Sequence, residues 1–197
     1  MRFVVGITGS IAVGKSSVTN YLRSKGYKVV DADEITHRSY QKGTKCYYQI
    51  IENFDCLDQN EEIDRKCLGN IIFSHQEKKK LLESIVHPYV IECIQKEINQ
   101  SSGLIFLDIP LLYEISLEYL CDKIIVVYVD EKTQLKRLME RNHILEKEAQ
   151  KLINSQISIE IKKLLADYVI DNRFSFDKLY QNIDRELEVI KNEAVFK

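Results

Sequence analysis

The chain contains 197 residues, of which 45% are hydrophobic and 29% charged, as is usual for a globular protein. A chain of this length buries enough apolar surface for one core without metal or disulfide cross-links, so we expect a single domain. Lysine and arginine number 28 against 30 aspartates and glutamates. This balance argues against a general nucleic-acid-binding protein, which would carry a basic excess, so any anion site must be local.

Cysteine spacing and hydropathy indicate the cellular compartment. None of the five cysteines forms a CxxC pair, which predicts free thiols and a reducing compartment. The apolar runs fall far short of the ~20 residues of a membrane-spanning helix, and only Arg2 stands before the first run. We therefore expect a cytoplasmic protein without nucleic-acid or membrane partners. The pattern does not indicate an oligomeric state.

Predicted strands and helices alternate along the chain. Short apolar, β-branched segments predict strands at 2–8, 27–31, 104–108, 123–129 and 168–171. Helical spacing of apolar residues predicts helices at 16–25, 34–40, 47–54, 65–73, 76–99 with an interruption at Pro88, 131–142, 146–165 and 176–192. Alternating strands and helices predict an α/β fold with a parallel five-stranded sheet between two layers of helices.

Two segments are longer than a minimal connection between parallel strands. We expect residues 1–31, 104–140 and 166–197 to form the core of the single domain. The stretch at about 32–103 is interpreted as a helical substrate-binding insertion, and the charged stretch at about 141–165 as a lid.

The most informative motif is GSIAVGKS at residues 9–16, which fits GxxxxGK[ST] between a predicted strand and a predicted helix. Small residues at Gly9 and Gly14 allow backbone amides to curl around nucleotide phosphates. Lys15 would neutralise the β- and γ-phosphates, and Ser16 would bind Mg²⁺. We expect Lys15 to be solvated when no phosphate faces it.

Three aspartates lie at the ends of two predicted strands, where ligands of an open α/β sheet collect. If the backbone is extended through Asp33, then Asp31 and Asp33 point to one side and could hold Mg²⁺ or accept a proton from a hydroxyl. The alternative is that Asp33 only caps the following helix. Asp108 resembles the acidic residue that supports Mg²⁺ in P-loop enzymes, and its alternative is a solvated turn residue.

Basic residues supply further candidates. Arg137 and Arg141 lie four residues apart and hence on one helix face, next to the predicted lid, where guanidinium groups can stabilise a migrating phosphoryl group. The alternative is a solvated charged face. His87 precedes a proline and is either structural or in contact with substrate. Arg65 begins a helix of the insertion and would otherwise be a surface residue.

These motifs together resemble the dephospho-coenzyme A kinase family over almost the whole chain. The resemblance lies in VGITGSIAVGKSSV, VVDADEITHR, IDRKCLGNIIF, LLESIVHP, DIPLLYE, VVYVDEKTQLKRLMERN and ADYVIDN, in this order and spacing. Members of this family transfer the γ-phosphate of ATP to the ribose 3′-hydroxyl of dephospho-coenzyme A, the last step of coenzyme A synthesis. The resemblance implies a P-loop kinase fold, ATP and dephospho-coenzyme A as small-molecule substrates, and Mg²⁺.

The resemblance also implies roles for individual residues. Asp33 would be the base that acts on the hydroxyl, Arg141 the arginine of the lid, and Asn172 a neighbour of the adenine. Arg65 and His87 would fall in the insertion that holds the acceptor, and we place Asp108 among the substrate-binding residues. The residues that bind the phosphates of ATP would be Ala12, Val13, Gly14, Lys15, Ser16 and Ser17.

The chain departs from the family pattern at three positions. Members commonly have glycine where this chain has Ser10 and Ala12, and phenylalanine where it has Tyr113. We expect the loop to close if both Ser10 and Ala12 can take negative φ. A kinase for nucleosides or nucleotides and a GTP-binding switch protein are the alternative functions. The insertion with Arg65 and His87 favours a bulkier acceptor than a nucleoside, and the sequence has no NKxD guanine motif.

Overall fold

The computed structural model describes residues 2–195. The strands are β1 (Arg2–Gly9), β2 (Lys28–Asp31), β3 (Gly103–Asp108), β4 (Lys123–Tyr128) and β5 (Tyr168–Asp171). The helices are α1 (Lys15–Ser24), α2 (Ala32–Ser39), α3 (Lys45–Asn53), α4 (Arg65–Ser74), α5 (Gln76–Asn99), α6 (Glu131–Asn142), α7 (Glu146–Ile153), α8 (Ile159–Leu165) and α9 (Phe176–Val195), with a 3₁₀ turn at Glu118–Leu120. All five predicted strands are present.

The strands form one sheet in the order β2-β3-β1-β4-β5. β1 runs parallel to both β3 and β4, and β4 runs parallel to β5. β1 is central and buried from its second residue onward, which explains why its sequence is a continuous apolar run. Since parallel strands end at the same edge, the loop after β1, the end of β3 and the residue after β5 lie at one edge of the sheet.

The described residues form two compact units. Residues 2–30 and 100–195 form the sheet unit, and residues 31–99 form the helical unit. The helical unit has nearly the extent of the insertion predicted at 32–103.

Helix α5 is the central element of the helical unit, and α2, α3 and α4 pack on it. Its buried residues recur every four positions and are Leu82, Val86, Val90, Ile94 and Ile98. The predicted interruption at Pro88 is wrong, because the helix runs unbroken from Gln76 to Asn99. Pro88 removes one helical hydrogen bond, but its ring is exposed while the buried stripe continues past it, so packing outweighs the local cost. No described helix, α5 included, has the length and hydropathy to span a membrane.

The helix predicted at 146–165 is divided into α7 and α8. α7 ends at Ile153, and α8 begins only after Ser158, whose side chain accepts a hydrogen bond from the Ile161 amide. Side chains such as serine stabilise helix ends better than helix interiors because they bond to nearby backbone groups. The division therefore follows from the polar residues between the two helices.

Candidate active site

In the loop between β1 and α1, neighbouring atoms approach the two motif glycines closely. A Cβ atom on Gly9 would lie 2.7 Å from the Cγ2 atom of Val13 and 3.0 Å from the carbonyl oxygen of Val127. Gly14 has φ of 84°, and a Cβ atom there would overlap the side-chain amide of Asn172. The close approach of neighbouring atoms therefore excludes larger residues at both motif glycines.

Helix α1 begins at Lys15 without a side-chain cap. Its N-cap is Gly14, which offers no side-chain acceptor, and its first turn contains no acidic residue. By contrast, aspartate side chains cap α2, α4 and α6. An N-terminus without a side-chain acceptor presents amide donors and a partial positive charge, which suits a phosphate group.

Ala12 has φ of 64°, in the left-handed region. The condition given for closure of the loop, a negative φ at both Ser10 and Ala12, is therefore not met at Ala12. The Ala12 side chain packs beside the buried cluster of Leu138, Ala149 and Ile153. A left-handed alanine costs roughly 1 to 2 kcal/mol relative to the ordinary helical region, so this loop is strained at Ala12.

Lys15 pairs with Asp108 across the carboxyl ends of β1 and β3. Its ammonium contacts the Asp108 carboxylate, and the two side chains are only 17% and 5% exposed. The expectation of a solvated Lys15 is therefore wrong, as is the alternative of Asp108 as a solvated turn residue. The strand register explains the contact, since Asp108 lies opposite Ile7 of β1 at the edge where the loop begins.

A cavity of about 600 Å³ opens beside this loop. Its lining includes Ala12, Gly14, Ser16, Ser17, Arg137, Arg141 and Asn172. Phe174 and Phe176 also line it and are 59% and 64% exposed. The structure thus brings four of the predicted phosphate-binding residues together with both arginines, beside two aromatic rings that could stack on a base.

The two arginines of α6 differ in their contacts. Arg137 donates from Nη2 to the carbonyl oxygen of Asn172 at 2.9 Å and is half-buried, so the alternative of a solvated charged face does not describe it. Arg141 is exposed and donates from Nε to the side chain of Asn142 at 3.0 Å. The guanidinium of Arg141 is therefore the more accessible of the two at the cavity.

Asn172 is buried directly after β5, and its side-chain nitrogen donates to the carbonyl oxygen of Val13 at 2.8 Å. This bond joins the end of β5 to the loop. Asn172 therefore shapes the loop as well as lining the cavity.

Asp31, and not Asp33, is the cap of α2. Its carboxylate accepts hydrogen bonds from the amides of Asp33 at 2.9 Å and Glu34 at 3.1 Å. The helix begins at Ala32, so the backbone is not extended through Asp33, and the condition for Asp31 and Asp33 to point to one side is not met. The alternative of Asp33 as the cap is wrong. Asp33 stands exposed in the first helical turn.

The other two predicted substrate residues also lie in the helical unit. Arg65 is exposed at the start of α4, donates to the carbonyl oxygen of His37 at 3.4 Å and has its guanidinium carbon 5.6 Å from the centre of the Tyr40 ring. His87 is half-buried within α5.

Sequence reasoning missed a buried polar group beneath the loop. Lys162 of α8 is fully buried and pairs with Glu114 at 2.8 Å. Gln134 is also fully buried and donates to the Ser10 hydroxyl at 2.7 Å. The one sequence signal for Lys162 is its position three residues after the apolar Ile159, on the face that α8 buries.

Comparison with known proteins identifies the family. The family model described as dephospho-CoA kinase matches residues 3–177. A dephospho-CoA kinase of Oceanobacillus iheyensis is 44% identical over 194 residues, which cover 95% of this chain and 98% of that protein. The solved structure of the dephospho-CoA kinase from Campylobacter jejuni superposes with a TM-score of 0.77 at 32% identity, over 98% of this chain and 99% of that one.

A more distant likeness bears on the fold alone. A shikimate kinase from Acinetobacter baumannii superposes with a TM-score of 0.56 at 14% identity. The predicted P-loop kinase fold with a parallel five-stranded sheet is therefore confirmed, as is the prediction of an ATP-dependent kinase. The match over most of the chain shows that the protein belongs to the dephospho-CoA kinase family.

Proposed function

We propose that this kinase transfers the γ-phosphoryl group of ATP to the 3′-hydroxyl of dephospho-coenzyme A, which yields coenzyme A and ADP. One observation carries the proposal most directly. The N-terminus of α1, which has no side-chain cap, lies next to a cavity that Arg137 and Arg141 also line. The chain in which this arrangement occurs belongs to the dephospho-CoA kinase family. Amide donors and guanidinium groups around one cavity suit a polyphosphate.

The residues of the sheet unit would bind ATP. The backbone of residues 12–17 would surround the phosphates, and the Lys15 ammonium would exchange Asp108 for phosphate oxygens. Arg141, exposed at the cavity, would stabilise charge on the migrating phosphoryl group. Asn172 would lie near the adenine, where Phe174 offers an exposed ring.

The residues of the helical unit would hold the acceptor. Asp33 is proposed as the base because its carboxylate is exposed while Asp31 provides the cap. Because phosphoryl transfer has a loose transition state, orientation of the hydroxyl by Asp33 would contribute as well as proton removal. Arg65 and His87 are proposed to bind the acceptor. Asp108, at the end of β3, is also proposed as a substrate-binding residue.

Mg²⁺ is proposed to bind with ATP at Ser16. The described residues contain no group of three histidine, cysteine or acidic side chains placed to hold a metal ion. The exposed Ser16 hydroxyl in the first turn of α1 fits an ion whose other ligands are phosphate oxygens and water. Such an ion would neutralise charge on the β- and γ-phosphates.

A direct assay tests the reaction. Purified enzyme with ATP and Mg²⁺ should convert dephospho-coenzyme A to a product that carries one additional phosphoryl group at the 3′ position, with release of ADP. Adenosine, AMP and shikimate should give kcat/KM values lower by at least ~10³-fold, because they leave contacts for the bulkier acceptor unused. Equal turnover of a nucleoside or nucleotide would contradict the proposed acceptor.

We also propose a cytoplasmic location. All five cysteines lie in the described part of the chain and are free thiols there. Free thiols are the usual state of cysteine in a reducing compartment. Fractionation of the producing cells would test this location, and enzyme found outside the cytoplasm would contradict it.

A further inference from the structure

The ammonium of Lys162 is completely surrounded by acceptors. It lies 3.0 Å from the carbonyl oxygen of Gly9, 3.3 Å from that of Pro110 and 2.8 Å from the Oε1 atom of Glu114. An ammonium has three donors, so these acceptors use all of them. Burial lowers the pKa of Lys162, and the Glu114 carboxylate opposes that shift.

These acceptors lie at the base of the phosphate loop. Gly9 is the last residue of β1 and the first glycine of the loop motif. Pro110 comes two residues after Asp108, the partner of Lys15. Lys162 therefore joins the segment that leads to Lys15 with the segment that carries Asp108.

The residues before α8 hold the next part of the loop. The Oε1 atom of Gln156 accepts hydrogen bonds from the Ile11 amide and from the Ser10 hydroxyl, both at 2.9 Å. The Ile157 amide donates at 3.1 Å to the same Glu114 oxygen that binds Lys162. The loop and the 156–162 segment are thus connected by a continuous set of buried and half-buried hydrogen bonds.

Stability alone gives no reason for a buried ammonium at this place. Removing a charge from water is costly, and well-packed apolar residues often replace a buried ion pair without loss of stability. The ammonium fixes the positions of its acceptors relative to one another, because these acceptors belong to separate segments of the chain. Gly9 also pairs with Val127 of β4, so the ammonium adds a second constraint at the residue where the loop begins.

We infer that Lys162 is a positioning residue for nucleotide phosphates, which with Glu114 and Gln156 holds the first half of the phosphate loop in its binding shape. Residues 156–162 are then a fixed support for the loop. A loop that is already ordered loses less conformational entropy when ATP binds. The inference rests on the proposed function in taking ATP as the ligand.

Hydrogen exchange in the free enzyme tests the support without reference to activity. The variants are Gln156→Ala and the double variant Lys162→Met/Glu114→Gln, which leaves no unpaired buried charge. Lys163→Met is the matched control, since Lys163 is exposed on the same helix and contacts the Tyr128 ring. Amides of residues 9–14 should exchange at least ~10-fold faster in both variants and at the wild-type rate in the control. Unchanged exchange in Gln156→Ala would overturn the inference even if the double variant fails to fold.

Nucleotide affinity tests the positioning role. Calorimetry with ADP should show a Kd raised ~10-fold in the double variant and ~3-fold in Gln156→Ala, while the KM for dephospho-coenzyme A stays within about twofold. Lys162→Arg, which keeps the charge, should retain more nucleotide affinity than Lys162→Met. Wild-type ADP affinity in a folded variant, or an equal loss for both substrates, would overturn the inference. A wild-type enzyme that binds ADP but leaves dephospho-coenzyme A unmodified would refute the proposed acceptor and leave this inference standing.

Discussion

The carboxylate of Asp31 accepts a hydrogen bond from the backbone amide of Asp33 at 2.9 Å. This contact assigns the cap of α2 to the first aspartate and leaves the carboxylate of the second exposed. The two aspartates therefore have different expected contributions to stability and activity.

Substitution of each aspartate by asparagine separates these contributions. Asp33→Asn should lower kcat by ~10²-fold or more, because an amide cannot accept the proton of the acceptor hydroxyl at neutral pH. Its melting temperature and KM for ATP should stay close to wild type. Asp31→Asn should retain most of the activity, because asparagine caps helices about as well as aspartate. Wild-type turnover in Asp33→Asn would exclude Asp33 as the base.

The pairing of Lys15 with Asp108 predicts a change in stability as well as in activity. Lys15→Ala should lower the free energy of unfolding by about 1 to 3 kcal/mol, because the buried Asp108 carboxylate loses its ammonium partner. Lys15→Ala/Asp108→Asn should recover much of that stability without recovering activity. Chemical denaturation and kcat/KM measure the two effects. A variant that keeps more than about a tenth of kcat/KM, a loss below ~1.4 kcal/mol, would remove Lys15 from the phosphate site.

The left-handed conformation of Ala12 predicts opposite effects for two substitutions. Ala12→Gly should raise the free energy of unfolding by up to ~1 kcal/mol, because glycine has no Cβ strain at φ of 64°. Ala12→Val should lower it by at least ~1 kcal/mol, since β-branched residues fit this region worst. Thermal unfolding and calorimetry with ADP are the measurements. Equal stability in all three proteins would show that the loop carries no such strain.

Tyr113 places a hydroxyl in the core without a hydrogen-bond partner among the described residues. Tyr113→Phe should therefore raise the free energy of unfolding by ~1 kcal/mol. Burial raises the pKa of Tyr113 to about 12, whereas an unfolded tyrosine has a pKa of about 10. The unfolded chain thus loses the proton first, and wild-type stability falls as the pH rises from about 10 to about 12.

The advantage of Tyr113→Phe should consequently grow above pH ~10. Urea unfolding between pH 7 and 11 measures it, and Tyr119→Phe is the control because Tyr119 is 66% exposed. A stability difference that shrinks with rising pH would contradict the sign of this argument.

Limited trypsin digestion tests the proposed lid, predicted at 141–165, in the part that precedes the fixed residues 156–162. Cleavage after the exposed Lys147 and Lys151 of α7 should slow when an ATP analogue and dephospho-coenzyme A are both bound. A lid that closes to exclude water from the site is also less accessible to the protease. Cleavage after Arg185 of α9 serves as the control. Equal cleavage rates at Lys147 and Lys151 with both ligands saturating would argue against a lid in this segment.

Local sequence patterns are sufficient to predict the strands, the phosphate loop and most helix boundaries. A buried parallel strand must be apolar, and a loop that surrounds phosphate needs glycine at close approaches, so β1, Gly9 and Gly14 were recognisable without a structure. The order and spacing of the motifs likewise indicated the family without a structure.

The partners that these residues contact depend on how distant segments of the chain pack together. The interruption predicted at Pro88 is overridden by the buried stripe of α5, and the pairing of Lys15 with Asp108 depends on the parallel neighbours β1 and β3. In the sequence Lys162 looks like the adjacent Lys163, and only its contact with the end of β1 in the folded protein distinguishes the two. The burial and pairing of these residues depend on segments that are far apart in the chain, so no local sequence pattern predicts them.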